Sequence, residues 1–211
     1  MSGITHHTPD SMLAAYAAGT LPHPFAIVVA AHISMCATCR ASLEAHQAVG
    51  GLVLEDTQCT ALTDGLKSAT LAMLDDVVIP DPVFEADGIF PGPLVQALKG
   101  RAPQWKKLGM GVRQDIIQAD RSGSVRLLYI PPGQAVPDHG HNGLELTLVL
   151  QGSFHDETGT FGVGDLEVAD ETLDHTPIAG GDIPCICLAA TDAPLRFHAL
   201  IPRLLQPLFR I

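Results

Sequence analysis

The spacing Gly133-x5-His139-x-His141-x3-Glu145-x6-Gly152 constrains this chain more than any other stretch of its 211 residues. Positions 139, 141 and 145 share parity, so on an extended strand all three side chains leave the same face. Two neutral imidazoles and a carboxylate suit a borderline divalent ion. The flanking glycines permit turns at the strand ends. A chain with this pattern needs a β-structure with an interior into which one strand face can point.

The texture around it agrees. From Trp105 onward, short runs such as VRLLYI, ELTLVL and RFHALI are broken by PPGQ, QGS, GVGD and AGGD, as in an all-β barrel or sandwich with Trp105 at its mouth. Upstream, from Pro9 to Val78, the chain is Ala-rich with apolar positions at helical spacing. Thr8-Pro9 predicts a helix start, with a hydroxyl cap and proline at the first helical position. Met12, Leu13, Tyr16 and Ala17 form its apolar stripe, and Gly19 and Pro22 end it. Further helices are expected over residues 23–34, 36–54 and 64–78. IPDPVFEADGIFPGP then reads as a linker. The expected fold class is therefore α + β in two domains: a small helical bundle over 1–80, a Pro/Asp/Gly-rich linker over 81–98 and an all-β domain over 99–211, each able to fold alone.

The helical part carries its own ligand pattern, His32-x3-Cys36-x2-Cys39, preceded by the pair His6-His7. Positions i, i+4 and i+7 lie on one helical face or across a tight helix junction, within reach of one ion. Two thiolates and an imidazole supply three ligands of a tetrahedral zinc site, and an N-terminal histidine can supply the fourth. Spacing does not choose between His6 and His7. Four protein ligands leave no open position, so such a site is structural. Zinc would contribute about 10–16 kcal/mol of apparent free energy to a module with a thin core.

Five cysteines is an odd number, and MSGITHHTPD has neither the basic nor the apolar region of a secretory signal. The CxxC is thus read as metal chemistry in a cytoplasmic protein, not as a disulfide framework. The longest apolar run, residues 25–31, is too short to span a bilayer, so no membrane partner is expected. The net charge of −11 is uneven. Through Pro93 there are ten acidic residues against two basic ones, a balance of −8; from Leu94 there are 13 against 10, a balance of −3. An acidic module repels phosphates and is steered toward a basic partner, so direct nucleic-acid binding is disfavoured.

The pattern around His139 matches the first cupin motif at every spacing, and Gly164-x10-His175 has the spacing of the second. Asp170 and Thr172 stand where that second motif usually has Pro and Gly, and Ala179 where it usually has Asn. Together HHTPDSMLAAYAAGTL, VVAAHISMCATCRA, VPDHGHNGLELTLVLQGSFHDE and CICLAATDAPLRF resemble the ChrR family of zinc anti-sigma factors, from about His6 to Arg210. The resemblance implies an N-terminal zinc anti-sigma domain with ligands His7, His32, Cys36 and Cys39. It also implies a C-terminal cupin, a double-stranded β-helix or jelly-roll barrel, with zinc on His139, His141, Glu145 and His175. Its members bind an extracytoplasmic-function sigma factor and release it on oxidative signals such as singlet oxygen or organic hydroperoxides. The protein is then a regulator, not an enzyme. The alternatives are a metal-dependent, dioxygenase-like cupin enzyme with an appended zinc module, and a zinc-finger DNA-binding regulator, which the −8 balance opposes.

Cys185 and Cys187 alternate on a strand and share a face. At strand rise their Cα atoms stand roughly 6.6–7 Å apart, at or beyond the disulfide limit, so the readings are buried core thiols or redox-active thiols near the metal. Cys59 has no partner, and His23, His46, His155 and His198 have no ligand-like spacing. Leu66, Ala69, Met73 and Leu74 give the fourth helix an apolar side, a second candidate contact for a partner.

Overall fold

Helix α2 (His23–Met35) has almost no polar face: of HPFAIVVAAHISM, the residues from Phe25 to Ile33 are apolar apart from His32. Such a helix has to be covered all round, and the fold does this. In the computed structural model, which describes residues 3–75 and 82–197, helices α1 (Asp10–Ala17), α3 (Ala37–Glu55) and α5 (Gly92–Ala97) contact α2. Its remaining face packs on strands β3 (Gly123–Ile130), β5 (Glu145–Gln151) and β11 (Cys185–Thr191). One apolar cluster therefore runs from Leu13 through Val28 and Leu94 to Leu127, Leu148 and Leu188. The architecture is two-domain, helical then β, joined along a continuous apolar seam.

The β domain has a large sheet ordered β1-β2-β3-β11-β5-β8, where β1 is Lys106–Gly109, β2 Val112–Asp120 and β8 Leu166–Ala169. Two small sheets face it: β10-β6-β7 (Ile178–Ala179, Ser153–His155, Thr160–Gly162) and β12-β4-β9 (Arg196–Phe197, His139–Gly140, Asp174–His175). Parity divides the large sheet. Leu127, Leu146, Leu148, Leu188 and Leu166 join the cluster around α2, while Arg126, Leu128, Glu145, Thr147, Cys187 and Glu167 line the interior cavity. Gly133 and Gly152 both adopt φ +71°, the left-handed turn geometry that glycine takes without strain. At Gly152 a Cβ would also lie 2.8 Å from the Pro184 carbonyl oxygen.

Several expectations change in detail. Pro9, not Thr8, is the N-cap of α1; the Thr8 hydroxyl is buried and caps nothing. The fourth helix is shorter than expected, α4 (Leu66–Ala72) followed by a 3-10 turn at Met73–Asp75, and residues 76–78 lie outside the described residues. The stretch read as linker includes α5, whose Leu94 is fully buried, because a Pro at its first turn starts a helix with an apolar face to bury. Trp105 packs edge-on to Tyr129, ring centroids 5.9 Å apart, and both belong to the cluster around α2 rather than to the cavity. In RFHALI only Arg196 and Phe197 are described, as strand; the rest, with His198 and Arg210, lies outside the described residues. Among the described residues no single helix is long and apolar enough to cross a membrane; α2 and α3 pass such a test only as a pair bent by 116°.

Leu188 is fully buried in the seam between sheet and helix. Leu188→Ala is expected to cost about 2–5 kcal/mol, read as a lowered midpoint in denaturant followed by circular dichroism.

Candidate metal centres

The first centre forms where α2 ends. Cys36 is extended (φ −108°, ψ 108°), which breaks the helix, and its Sγ accepts the Cys39 N–H at 3.5 Å as the N-cap of α3. His32, Cys36 and Cys39 thereby face one point across the corner. The N-terminal segment enters extended, so its adjacent histidines diverge. His6 lies against the Phe161 ring, centroids 4.3 Å apart. His7 turns to the sulfurs, its Nδ1 3.3 Å from Cys36 Sγ and 3.6 Å from Cys39 Sγ. His32 Nε2 is 3.2 Å from Cys39 Sγ. The structure thus brings His7, not His6, to the cluster, whose four ligand atoms all lie within 4.8 Å of one another. Tetrahedral zinc with thiolate and imidazole bonds has ligand edges of about 3.3–3.8 Å, so the set fits. Burial lowers the His32 pKa, favouring the neutral imidazole that a metal requires. Burial raises that of Cys39, partly offset by the Thr8 N–H, so the metal-free thiol keeps its proton.

The second centre lies inside the barrel. Antiparallel pairing of β4 with β9 sets His139 directly opposite His175. His175 Nε2 is 3.2 Å from His141 Nε2 and 3.3 Å from His139 Nε2. His139 Nδ1–H donates to the Pro137 carbonyl oxygen (2.8 Å) and His175 Nδ1–H to Asp156 Oδ2 (2.6 Å). Those donors fix the neutral tautomers so that Nε2 carries a lone pair on both rings. Lone pairs converging at such distances repel unless a cation lies among them, either the proton that His175 carries in the metal-free protein or a metal ion that replaces it, and all three rings are buried. The trio therefore fits a divalent ion. Glu145 stands beside it, Oε2 3.5 Å from His141 Nδ1, with Thr147 Oγ1 donating to Oε1 at 3.1 Å. It lies just outside the compact three-histidine group. Burial opposes its ionisation, but His141, His139 and Thr147 outweigh that and hold its pKa below the usual value.

The turn before His175 keeps its shape despite lacking the usual Pro and Gly. Asp170 Oδ1 accepts both the Thr172 N–H (2.9 Å) and hydroxyl (2.6 Å), a side-chain substitute for that turn. Behind His175 sits a carboxyl pair that the spacing analysis did not find. The Asp156 side chain is fully covered there, though the residue as a whole is half-buried, and Glu167 Oε1 is 3.3 Å from His175 Nδ1. The two acids flank His175: burial pushes Glu167 up to about 7, while burial of Asp156 is overcome by interactions with Glu167, Thr158 and His175, which lower its pKa. Burial would lower the His175 pKa, but the two acids raise it to about 9 in the metal-free protein. Glu167 was visible in principle, as a lone charge at an inward position of an apolar strand. Asp156 belongs to a loop, where parity gives no signal.

The centre opens on a cavity of about 340 Å³ whose wall is mostly apolar, with Leu128, Ile130, Val136, Phe154 and Phe197 around His139, Glu145 and His175. Cys187 also lines it; its Sγ is 3.4 Å from that of Cys185, and both are free, buried thiols. Cys59 is exposed. Of the other histidines, His46 pairs with Asp10 at 2.9 Å, tying α3 to α1.

Residues 96–193 match the family described as the ChrR cupin-like domain. Over 211 residues the chain is 53% identical to the anti-sigma-E factor ChrR of Cereibacter sphaeroides, covering 99% of each protein. It is similar to the crystal structure of Rhodobacter sphaeroides SigE in complex with the anti-sigma ChrR, with a TM-score of 0.81 and 50% identity over 90% of this chain and 99% of that one.

Elemental analysis of the purified chain is expected to give two metal ions, and Cys36→Ser to leave one. Asp156→Ala should weaken the barrel metal by about 10–100-fold, because His175 loses the acceptor that fixes its tautomer; competition with a chromophoric chelator measures this. Below pH of about 9 a metal must displace the His175 proton. Barrel affinity should therefore rise with pH toward that value and then level, as titration calorimetry at several pH values would report.

Proposed function

This chain belongs to the ChrR family of anti-sigma factors, and on that premise we propose that it sequesters an extracytoplasmic-function sigma factor. Release follows an oxidative signal, singlet oxygen or an organic hydroperoxide, received in the barrel. The observation that carries the binding half is an uncovered apolar surface. The second half of α3 and all of α4 are exposed, and Val49, Leu52 and Val53 form an i, i+3, i+4 stripe at 59%, 66% and 65% exposure. Leu54, Met73 and Leu74 are exposed as well. A contiguous apolar patch rimmed by polar residues is characteristic of a protein-binding face. The local acidic excess suits a basic partner such as the DNA-facing side of a sigma factor.

In this reading His7, His32, Cys36 and Cys39 hold a structural zinc that fixes α1 and the α2–α3 corner, and so aims α3. His139, His141, Glu145 and His175 hold the barrel zinc. Four protein ligands close the first site, whereas the second borders a cavity that admits a small molecule. A relative matched end to end is a regulator, so the cavity serves sensing and not turnover.

The domain division is part of the proposal: residues 1–80 bind sigma, and the barrel is needed for release. A chain ending near residue 85 uncovers one face of α2, so it is best produced together with sigma. Such a fragment should repress a sigma-dependent reporter constitutively. His141→Ala or Glu145→Ala in the full chain should repress but ignore the signal. Leu52→Asp should lose at least about tenfold in sigma affinity, as a buried anchor does. A fragment that responds normally to the signal removes the barrel from sensing.

A further inference from the structure

The helical-domain metal centre meets the barrel at the turn between β7 and β8. His32 is fully buried, and its Nδ1–H donates to the Gly164 carbonyl oxygen at 2.9 Å. A carbonyl only accepts, so this bond fixes the tautomer and leaves the Nε2 lone pair facing Cys39. His7 has no helix to hold it; residues 3–9 are irregular. Their hold is the next residue of the turn. Asp165 Oδ1 accepts the Thr5 N–H (2.7 Å) and the His6 N–H (2.8 Å), and its Oδ2 accepts the Gly162 N–H (2.8 Å). The His6 carbonyl oxygen in turn accepts the Leu166 N–H at 3.2 Å. Gly164, at φ +91°, leaves room for Ile4, whose Cδ1 would be 2.5 Å from a Cβ there.

We propose that the β7–β8 turn of the barrel is the outer coordination shell of the helical-domain metal, with the Gly164 carbonyl orienting His32 and the Asp165 carboxylate positioning His7. The inference rests on those histidines and Cys36 and Cys39 being the metal ligands, and it deepens that reading by naming what regulates the site. Asp165 is a positioning residue: it binds no metal and acts through the Thr5 and His6 N–H groups just ahead of His7. Two residues further on, β8 turns Glu167 inward to His175. Three consecutive residues thus join the two centres: Asp165 grips the N-terminal segment, Leu166 packs beneath the helices, and Glu167 backs a barrel ligand. A barrel ligand that shifts has a short, hydrogen-bonded route to the site that aims the sigma-binding helix.

The test uses full-length protein loaded with cobalt, whose sulfur-to-metal absorption reports only the thiolate site. Asp165→Asn keeps the side-chain shape but can accept on one side only. It should change that absorption and speed metal release to a chelator by about 10–100-fold, with barrel metal content at the wild-type level. Ile4→Ala, outside the barrel and unable to unfold it, should speed release several-fold in the same direction. Wild-type spectra and release rates in both variants would overturn the positioning role. Simultaneous loss of both metals from Asp165→Asn, with Ile4→Ala unchanged, would overturn it too, since Asp165 would then merely support the barrel. A wild-type protein without sulfur-to-metal absorption would instead refute the ligand assignment itself.

Discussion

Everything in this molecule is arranged around a helix that cannot face water. With both of its flanks apolar, α2 needs a second layer on each side, and its length lets it serve both at once. One flank gathers α1, α3 and α5; the other lies on the large sheet, whose outward residues Leu127, Leu146, Leu148 and Leu188 are all fully buried. The last turn of the same helix carries His32, so the residue that points at the sulfurs is set by the packing that joins the domains. Burial, rather than any single polar bond, decides where the first metal centre stands.

How much of this could be read in the sequence depends on whether the signal was local. The single strand expected over residues 139–145 is broken at 141–144 into β4 and β5, which belong to different sheets. The ligand sets still rest on short spacings, and the helix and corner required by the first set formed. The turn glycines behaved likewise. What escaped was long-range. ELTLVL and CICLAA read as strands, but their lack of strict alternation also meant that both sheet faces are covered, and a helix more than a hundred residues upstream is what covers one of them. The segment PGPLVQAL was hidden by its prolines and glycines, because composition marks a linker while burial of Leu94 depends on a partner that spacing cannot supply. Asp156 and Asp165 lie in turns, where no periodicity exists to betray an inward-pointing acid.

The two centres also differ in what their donors permit. Two thiolates with two imidazoles make a soft, closed set, and none of the four lines the barrel cavity. Such a site resists exchange and suits a structural ion. Three imidazoles and a carboxylate, in the wall of an apolar chamber, would hold a metal beside open volume. An apolar chamber strengthens electrostatic interactions within it and admits small uncharged molecules more readily than ions. The division between a part that holds shape and a part that meets chemistry is thus written in ligand softness and in the presence of a void, before any partner is considered.

Sensing in one domain and gripping in another require a contact that has a different free energy in the two states. The seam along α2 alone is a poor choice, since close-packed apolar surfaces resist small displacements and have no directional memory. A buried carboxylate with three backbone N–H partners is different. Each bond has a narrow angular range, and losing one inside the protein costs roughly 1–3 kcal/mol, or more for a charged group. That is the scale of coupling that separates a held partner from a released one. Asp165 lies between the N-terminal segment and the strand that backs His175. The apolar seam keeps the domains together while this small polar contact changes, so the helices can lose their aim without the protein coming apart.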